Sequence, residues 1–385
     1  MPSIYDELQT IASRDGVDAT LDRLVAELRA KKSYHELFEA LKIRVRRKLG
    51  LPMLYSDSGD QLAPAQRNQL EDGLIEACRE VGTLLLREGK LREGWIYLRP
   101  VGDKAEAEKL LSAIAVDDDN ADDLIEVLLR EGVDPARGFG LLLERYGTCN
   151  AITTFDAEVV RYDKSAQQAA ARLLVRKLHE DLVANVQADI ARQETGHPTE
   201  TTLEGLVSER DWLFLENAYH IDTTHLASTV RAARLLDSAE DLRLALDLTH
   251  YGRQLSKQYQ YPGDEPFVEQ YVAAAFWFQA QLGENVAAAL EYFRDKAETC
   301  DPQECGSLPA EYYVELLTRL ERYDDAIAAS IKLLPGDVQR VGICPSLLEL
   351  AEFSGHYTKV LEHTRAHEDL LAYAAALIKA KRHAP

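Results

Sequence analysis

The stretch LERYDDAIAASIKLL, residues 320–334, places Tyr323 at the head of an apolar run, with Ala326 three residues behind it. Further on, FSGHYTKVLEHT, residues 353–364, repeats the arrangement with Tyr357 and Val360. The two tyrosines stand 34 residues apart, so the recurring unit is a short helical hairpin. Such a hairpin cannot bury its apolar face alone. Neighbouring hairpins must stack on it, and the result is an α-solenoid whose grooves bind other molecules.

Working outward, VGTLLLREGKLREGWIYLRP (81–100) carries Gly82, Gly89 and Gly94 at places where two helices turn and approach closely. AQLGENVAAALEYF (280–293) sets Asn285, Ala288 and Tyr292 in a looser version of the same pattern. In the C-terminal hairpins and in residues 76–100, the chain resembles a degenerate tetratricopeptide repeat. Gly82, Leu91, Gly94 and Leu98 match its small, turn-flanking, small and bulky positions, while Ser330 and Thr364 stand where the family has a bulky residue. The resemblance implies an all-α fold of antiparallel helical hairpins stacked in a right-handed superhelix, with a concave groove that binds a partner.

Periodicity and capping extend the all-α reading to roughly fourteen to eighteen helices. Ser33 with Glu36, Ser165 with Gln168 and Thr201 with Glu204 have the spacing of capping boxes. Asp134-Pro135 reads as a helix start and Gly147 as the matching stop. The stripe Leu174, Leu178, Leu182, Val186, Ile190 makes a long buried helix from 165 to about 192. Leu244, Leu248, Tyr251, Leu255 and Tyr259 give a helix over 240–259. Only Ala151–Phe155 has any extended character. Three sections of one continuous solenoid are expected: N-terminal hairpins over 1–100, a central part with longer helices and polar loops over 101–260, and C-terminal repeats over 261–385. The Pro- and Gly-containing stretch 50–66 is a candidate hinge or exposed loop.

Forty-four basic residues against 65 acidic ones give a net charge of −21, which repels phosphate backbones and favours a basic partner. The one basic cluster, Lys42, Arg44, Arg46, Arg47 and Lys48, reads either as a solvated helix end or as a phosphate contact. Residues 1–30 lack the apolar core of a secretory signal, and no window is apolar enough to span a membrane. Five scattered cysteines fit reduced thiols in a cytoplasmic protein, although Cys300 and Cys305 lie close enough to pair under oxidation.

Chemistry has two places to sit. The polar segment YGTCNAITTFD (146–156) offers Cys149, Asn150, Thr153 and Asp156 as a ligand-binding lining, or Cys149 as a nucleophile served by a distant histidine. The segment YHIDTTHL (219–226) offers His220, Asp222 and His225 as ligands for zinc or another divalent metal. Alternatively, Asp222 caps a helix and the histidines make ordinary hydrogen bonds. His179 lies toward the apolar side of the long helix, as a core residue or as a third imidazole. His363 and His367 share one helix face near Glu362, Glu368 and Asp369. Consecutive Phe276, Trp277 and Phe278 must pack in different directions, in the core or against a ligand. No phosphate loop, nucleophile elbow or His-Glu-x-x-His motif occurs. The leading expectation is a cytoplasmic scaffold that binds a protein or peptide, with no cofactor, membrane or nucleic acid. The alternative is a metal-dependent or small-ligand-binding enzyme built on the two polar segments.

Overall fold

Apolar residues at helical spacing, interrupted by glycines at positive φ, give a chain of helices joined by tight turns. The computed structural model describes residues 3–54, 61–194, 196, 198–200, 202–334 and 340–383, and no strand occurs among them. They contain 20 α-helices, several of a single turn, which exceeds the expected count because short segments inside the connections also coil. The chain separates into two compact units, Met1–Arg145 and Tyr146–Pro385.

The first unit contains α1 (Ile4–Arg14), α2 (Gly16–Ala30), α3 (Tyr34–Lys48), α4 (Pro64–Arg87), α5 (Leu91–Leu98), α6 (Lys104–Ser112) and α7 (Ala121–Ile125). Each of α1 to α4 packs on the next in the chain. Val25, Leu37, Leu41, Ala77, Val81 and Leu85 form one core, and Trp95, Leu98, Leu111, Leu124 and Leu128 lie in a second. That second core draws residues 101–133 into the first unit. Gly82 and Gly94 bring α4 and α5 together, since a Cβ on Gly82 would stand 2.9 Å from the Gly94 carbonyl oxygen. After α7 comes a wide π-helical turn, Glu126–Arg130, in which Glu131 N–H donates to Glu126 O at 3.0 Å. The turn lets consecutive Val127, Leu128 and Leu129 all point inward, at 1%, 0% and 0% exposure.

Pro135 opens α8 (Pro135–Ala157), and Asp134 Oδ1 accepts the Arg137 N–H at 3.1 Å, as the sequence suggests. Gly147 ends the first helical run, as expected, at φ 76° and ψ 176°, and a second run follows it directly within α8. Long α9 (Lys164–Gln193) buries its expected stripe, but its cap is Asp163, which accepts the Ala166 N–H at 3.0 Å, and not Ser165. Ser33 makes no side-chain cap. Thr201 lies outside the described residues, and Thr202 caps α10 (Leu203–Val207).

The second unit continues with α11 (Thr223–Ala232), α12 (Ala239–Gln254), α13 (Gln270–Gln281), α14 (Val286–Thr299), α15 (Pro302–Cys305), α16 (Leu308–Arg319), α17 (Tyr323–Leu333), α18 (Leu347–Ser354), α19 (Thr358–Ala366) and α20 (Leu370–His383). From α12 onward, helices again pack mainly on their neighbours in the chain. Ala326 of α17 and Val360 of α19, the equivalent positions of the two quoted runs, are both 0% exposed. The aromatic triplet of α13 divides as its spacing requires. Phe276 stacks on Tyr292 with centroids 4.9 Å apart, Trp277 lies under the Arg319 guanidinium, and Phe278 is buried. Cys300 and Cys305, expected as spare thiols, are joined in a disulfide. Among the described residues no helix is long and apolar enough to cross a membrane.

Candidate functional site

The segment 146–156 is helix, and its polar groups serve that helix. Asn150 Nδ2 donates to Tyr146 O at 2.9 Å, and Thr153 Oγ1 donates to Cys149 O at 3.0 Å. Asp156 accepts from Arg231 Nη2 at 3.1 Å. Cys149 is exposed in the first turn after the Gly147 break, with no histidine hydrogen-bonded to it. Polar residues at this density suit either a loop or an exposed helix face, and Gly147 favoured the loop reading.

The second segment forms a closed network. Asp222 caps α11, accepting the N–H groups of Thr224 and His225 at 2.8 and 3.1 Å; the Thr224 hydroxyl above all, and then these amides, hold its carboxyl below the usual range. His220 turns the other way, its side chain 6% exposed. Its backbone N–H donates to the Tyr251 hydroxyl at 2.9 Å, while its Nδ1 meets the same hydroxyl at 2.8 Å and its Nε2 meets Asp189 at 3.2 Å. The Tyr251 oxygen already accepts the backbone N–H, so its own proton goes to Nδ1 and the ring proton sits on Nε2, facing Asp189. Burial pushes the Tyr251 phenol well above its ordinary range and keeps it neutral. Both imidazole nitrogens are therefore occupied.

His179 is bound elsewhere, to Asp247 of α12 at 3.1 Å. The structure does not bring His220, Asp222, His225 and His179 together, and among the described residues no three His, Cys, Asp or Glu side chains are placed to hold a metal ion. The physical reason is the Asp222 cap, which directs that carboxylate into the backbone of α11 while His220 swings toward α9 and α12. Asp189 and Tyr251, the residues that actually hold His220, stand 31 positions from it on either side, too far for local spacing to reveal.

The basic cluster of α3 is mostly consumed. Lys42 pairs with Glu39, Arg44 with Asp22 and Arg47 with Asp18, while Arg46 is buried and donates to Pro52 O at 2.7 Å. Lys48 has no ion-pair partner among the described residues. It borders a groove of about 610 Å³ between α3 and α4, reached also by Glu106 of α6. Leu41, Val45, Leu49, Ala77 and Leu84 give the groove apolar walls; Gln69 and Thr83 add neutral polar groups. Gly73 makes the closure possible, since a Cβ there would stand 2.5 Å from a Val45 methyl. Of the charges in the groove, Arg79 is held by Glu106 and Glu76, Glu80 by Arg29, and Arg44 by Asp22. Arg87 has no ion-pair partner among the described residues. The helices run antiparallel, with Val45 against Gly73 and Lys32 paired to Glu88 at 2.7 Å, so Lys48 and Arg87 stand toward opposite ends of the groove.

No known family model, curated protein or solved structure matches this chain.

Proposed function

We propose that this chain is a helical-repeat scaffold that binds a segment of a partner protein in the groove between α3 and α4. The carrying observation is the pair of cations, Lys48 and Arg87, that meet no carboxylate among the described residues and stand at the two ends of a groove with apolar walls. Every other cation lining the groove already has a carboxylate. An occupant with apolar side chains in the middle and acidic ones toward its ends satisfies both features. The acidic balance of the whole chain favours a basic partner only through long-range attraction, which salt screens beyond about 10 Å. At contact range the free charges of the groove are positive, and they select the occupant.

The architecture belonging to this reading is a right-handed stack of the tetratricopeptide kind. Packing between chain neighbours supports it, as does the equal burial of Ala326 and Val360 in successive hairpins.

The test is selection of peptides from a random displayed library on the intact protein, followed by affinity measurement of the selected sequences. Enrichment of acidic residues flanking an apolar centre is expected. Lys48→Glu and Arg87→Glu together should weaken these peptides by about a hundredfold, and affinity should fall with salt. Peptides that bind the double variant equally well would place the binding surface elsewhere and end this reading.

A further inference from the structure

Residues 370–381 of α20 read LLAYAAALIKAK, apolar on two opposite faces of the helix. A helix with that pattern is normally covered on both. Ala372, Tyr373 and Ala376 share the inner face, where Ala376 is fully buried and α20 packs on α18 and α19. The outer face is bare. Leu370, Leu371, Leu377 and Ile378 are 79%, 83%, 39% and 59% exposed, the densest run of exposed large apolar side chains among the described residues.

The spacing of this face makes a seam. Leu370, Ala374, Leu377 and Lys381 recur at intervals of four, three and four, as in helices that pack lengthwise against each other, and Leu371 and Ile378 flank them on one side. Ala374 sits in the middle, where a small side chain leaves a hole for a larger one from another helix. The two ends of the seam carry opposite charge. Glu368 and Asp369 stand exposed at the start of α20, where Asp369 Oδ1 accepts the Ala372 N–H at 2.9 Å, and Lys381 stands exposed near the other end. Lys379, on a different face, pairs with Glu352 of α18. Lys381, Glu368 and Asp369 have no ion-pair partner among the described residues.

A face with acid at one end, apolar groups in the middle and a cation at the other complements itself when reversed. Laid antiparallel about a two-fold axis between Ala374 and Leu377, two copies of α20 set each Leu377 over the Ala374 of the other copy. Each Lys381 then meets the Glu368 and Asp369 of the other copy, using one patch twice as two-fold symmetry requires. A parallel arrangement would place acid on acid. An anionic lipid surface would meet those carboxylates at one end of the seam, on a chain of net charge −21. We infer that α20 is a homodimer contact, covered by the α20 of a second copy of this chain running antiparallel to it. One helix pair is small against the roughly 800 Å² per partner of a standard interface, so the dimer is reversible, with a dissociation constant on the order of 10–100 μM. The contact uses no residue of the groove between α3 and α4.

Sedimentation velocity of the intact protein, from about 1 to about 300 μM, tests this, and a reversible passage from one chain to two per particle is expected. Leu371→Glu with Ile378→Glu should weaken the dimer by about a hundredfold or more. Both side chains already face solvent, so circular dichroism should show the fold kept. Lys381→Glu should weaken the dimer by about fivefold at low salt, since symmetry counts the lost pair twice, and adding Glu368→Lys to that variant should restore most of the affinity. A local loss of structure would not be rescued in this way. A monomer at the highest concentration, a dimer indifferent to Leu371→Glu with Ile378→Glu, or one indifferent to Lys381→Glu would each overturn the proposal. So would a chain that stays monomeric and binds vesicles of phosphatidylcholine and phosphatidylserine through Leu371 and Ile378, which would assign the face to a membrane.

Discussion

Glu311 and Gly342 are joined by a hydrogen bond of 2.7 Å, in which the carboxylate of a fully buried glutamate accepts a backbone N–H from a segment 31 residues away. The same carboxylate accepts the N–H groups of Val341 and Ile343 at 2.6 and 2.7 Å. Burial pushes its carboxyl upward, but the Ser307 hydroxyl and these three amides pull it down further, and it settles below the usual carboxylate range. One side chain of α16 thus fixes the start of the final hairpin.

Glu311→Gln should destabilise the protein by about 2–3 kcal/mol, because an amide accepts fewer of these bonds and adds a donor with no acceptor. Equilibrium denaturation in urea gives the magnitude. Hydrogen exchange should show the amides of Gly342 and Ile343 losing protection first.

Asp241 ties α9 to α12 by accepting from Arg172 Nε at 2.8 Å and Arg176 Nε at 2.7 Å. Its side chain is 1% exposed, and although burial opposes its charge, the two guanidinium groups hold its carboxyl below the ordinary value. A carboxyl depressed by folding stabilises the native state above its unfolded pKa, about 3.9, and loses that contribution as pH falls through the folded value. Wild type should therefore exceed Asp241→Asn in stability at neutral pH by about 2 kcal/mol, discounted because both arginines reach solvent. The gap should narrow as pH drops below 4, as urea midpoints of the two proteins would show.

Gly82→Ala should separate α4 from α5. The added methyl would meet Leu98 Cγ at 2.6 Å as well as the Gly94 carbonyl. Helix propensity favours alanine by about 1 kcal/mol, but crowding of a well-packed interface costs about 1–3 kcal/mol, so net destabilisation is expected. Thermal unfolding checks the sign; a more stable variant would mean that the two helices can part without loss.

Thiol counting tests the pairing of Cys300 with Cys305. Under non-reducing conditions the native protein should expose Cys149 to rapid alkylation, since Cys78 is buried and burial with the nearby Glu311 pushes the Cys344 thiol up to about 12. Unfolding without reductant should release three thiols and reduction five, read by intact mass.

The hairpins around Tyr323 and Tyr357 were legible because a helix's apolar face is written at intervals of three and four residues. The close approach of α4 and α5 was legible too, because only glycine at 82 and 94 permits it. The groove was not. Lys48 and Arg87 acquire meaning only when antiparallel packing sets α3 against α4, and no local pattern distinguishes Lys48, unpaired among the described residues, from its four neighbouring cations. The same holds for His220, whose partners come from α9 and α12. Asp222 was readable both as a ligand and as a cap, and capping prevailed because free N–H groups at a helix start lie within reach of its short side chain.

The wide turn at Glu126–Arg130 has a consequence for any attempt to find internal symmetry here. It holds one residue more than the regular helical repeat needs, so sequence spacing and angular position fall out of step there. Motifs before and after it can be superimposed only if a gap is allowed at that point. A comparison of the chain with itself at fixed intervals will lose phase in the first unit, even where the folded segments are equivalent in space.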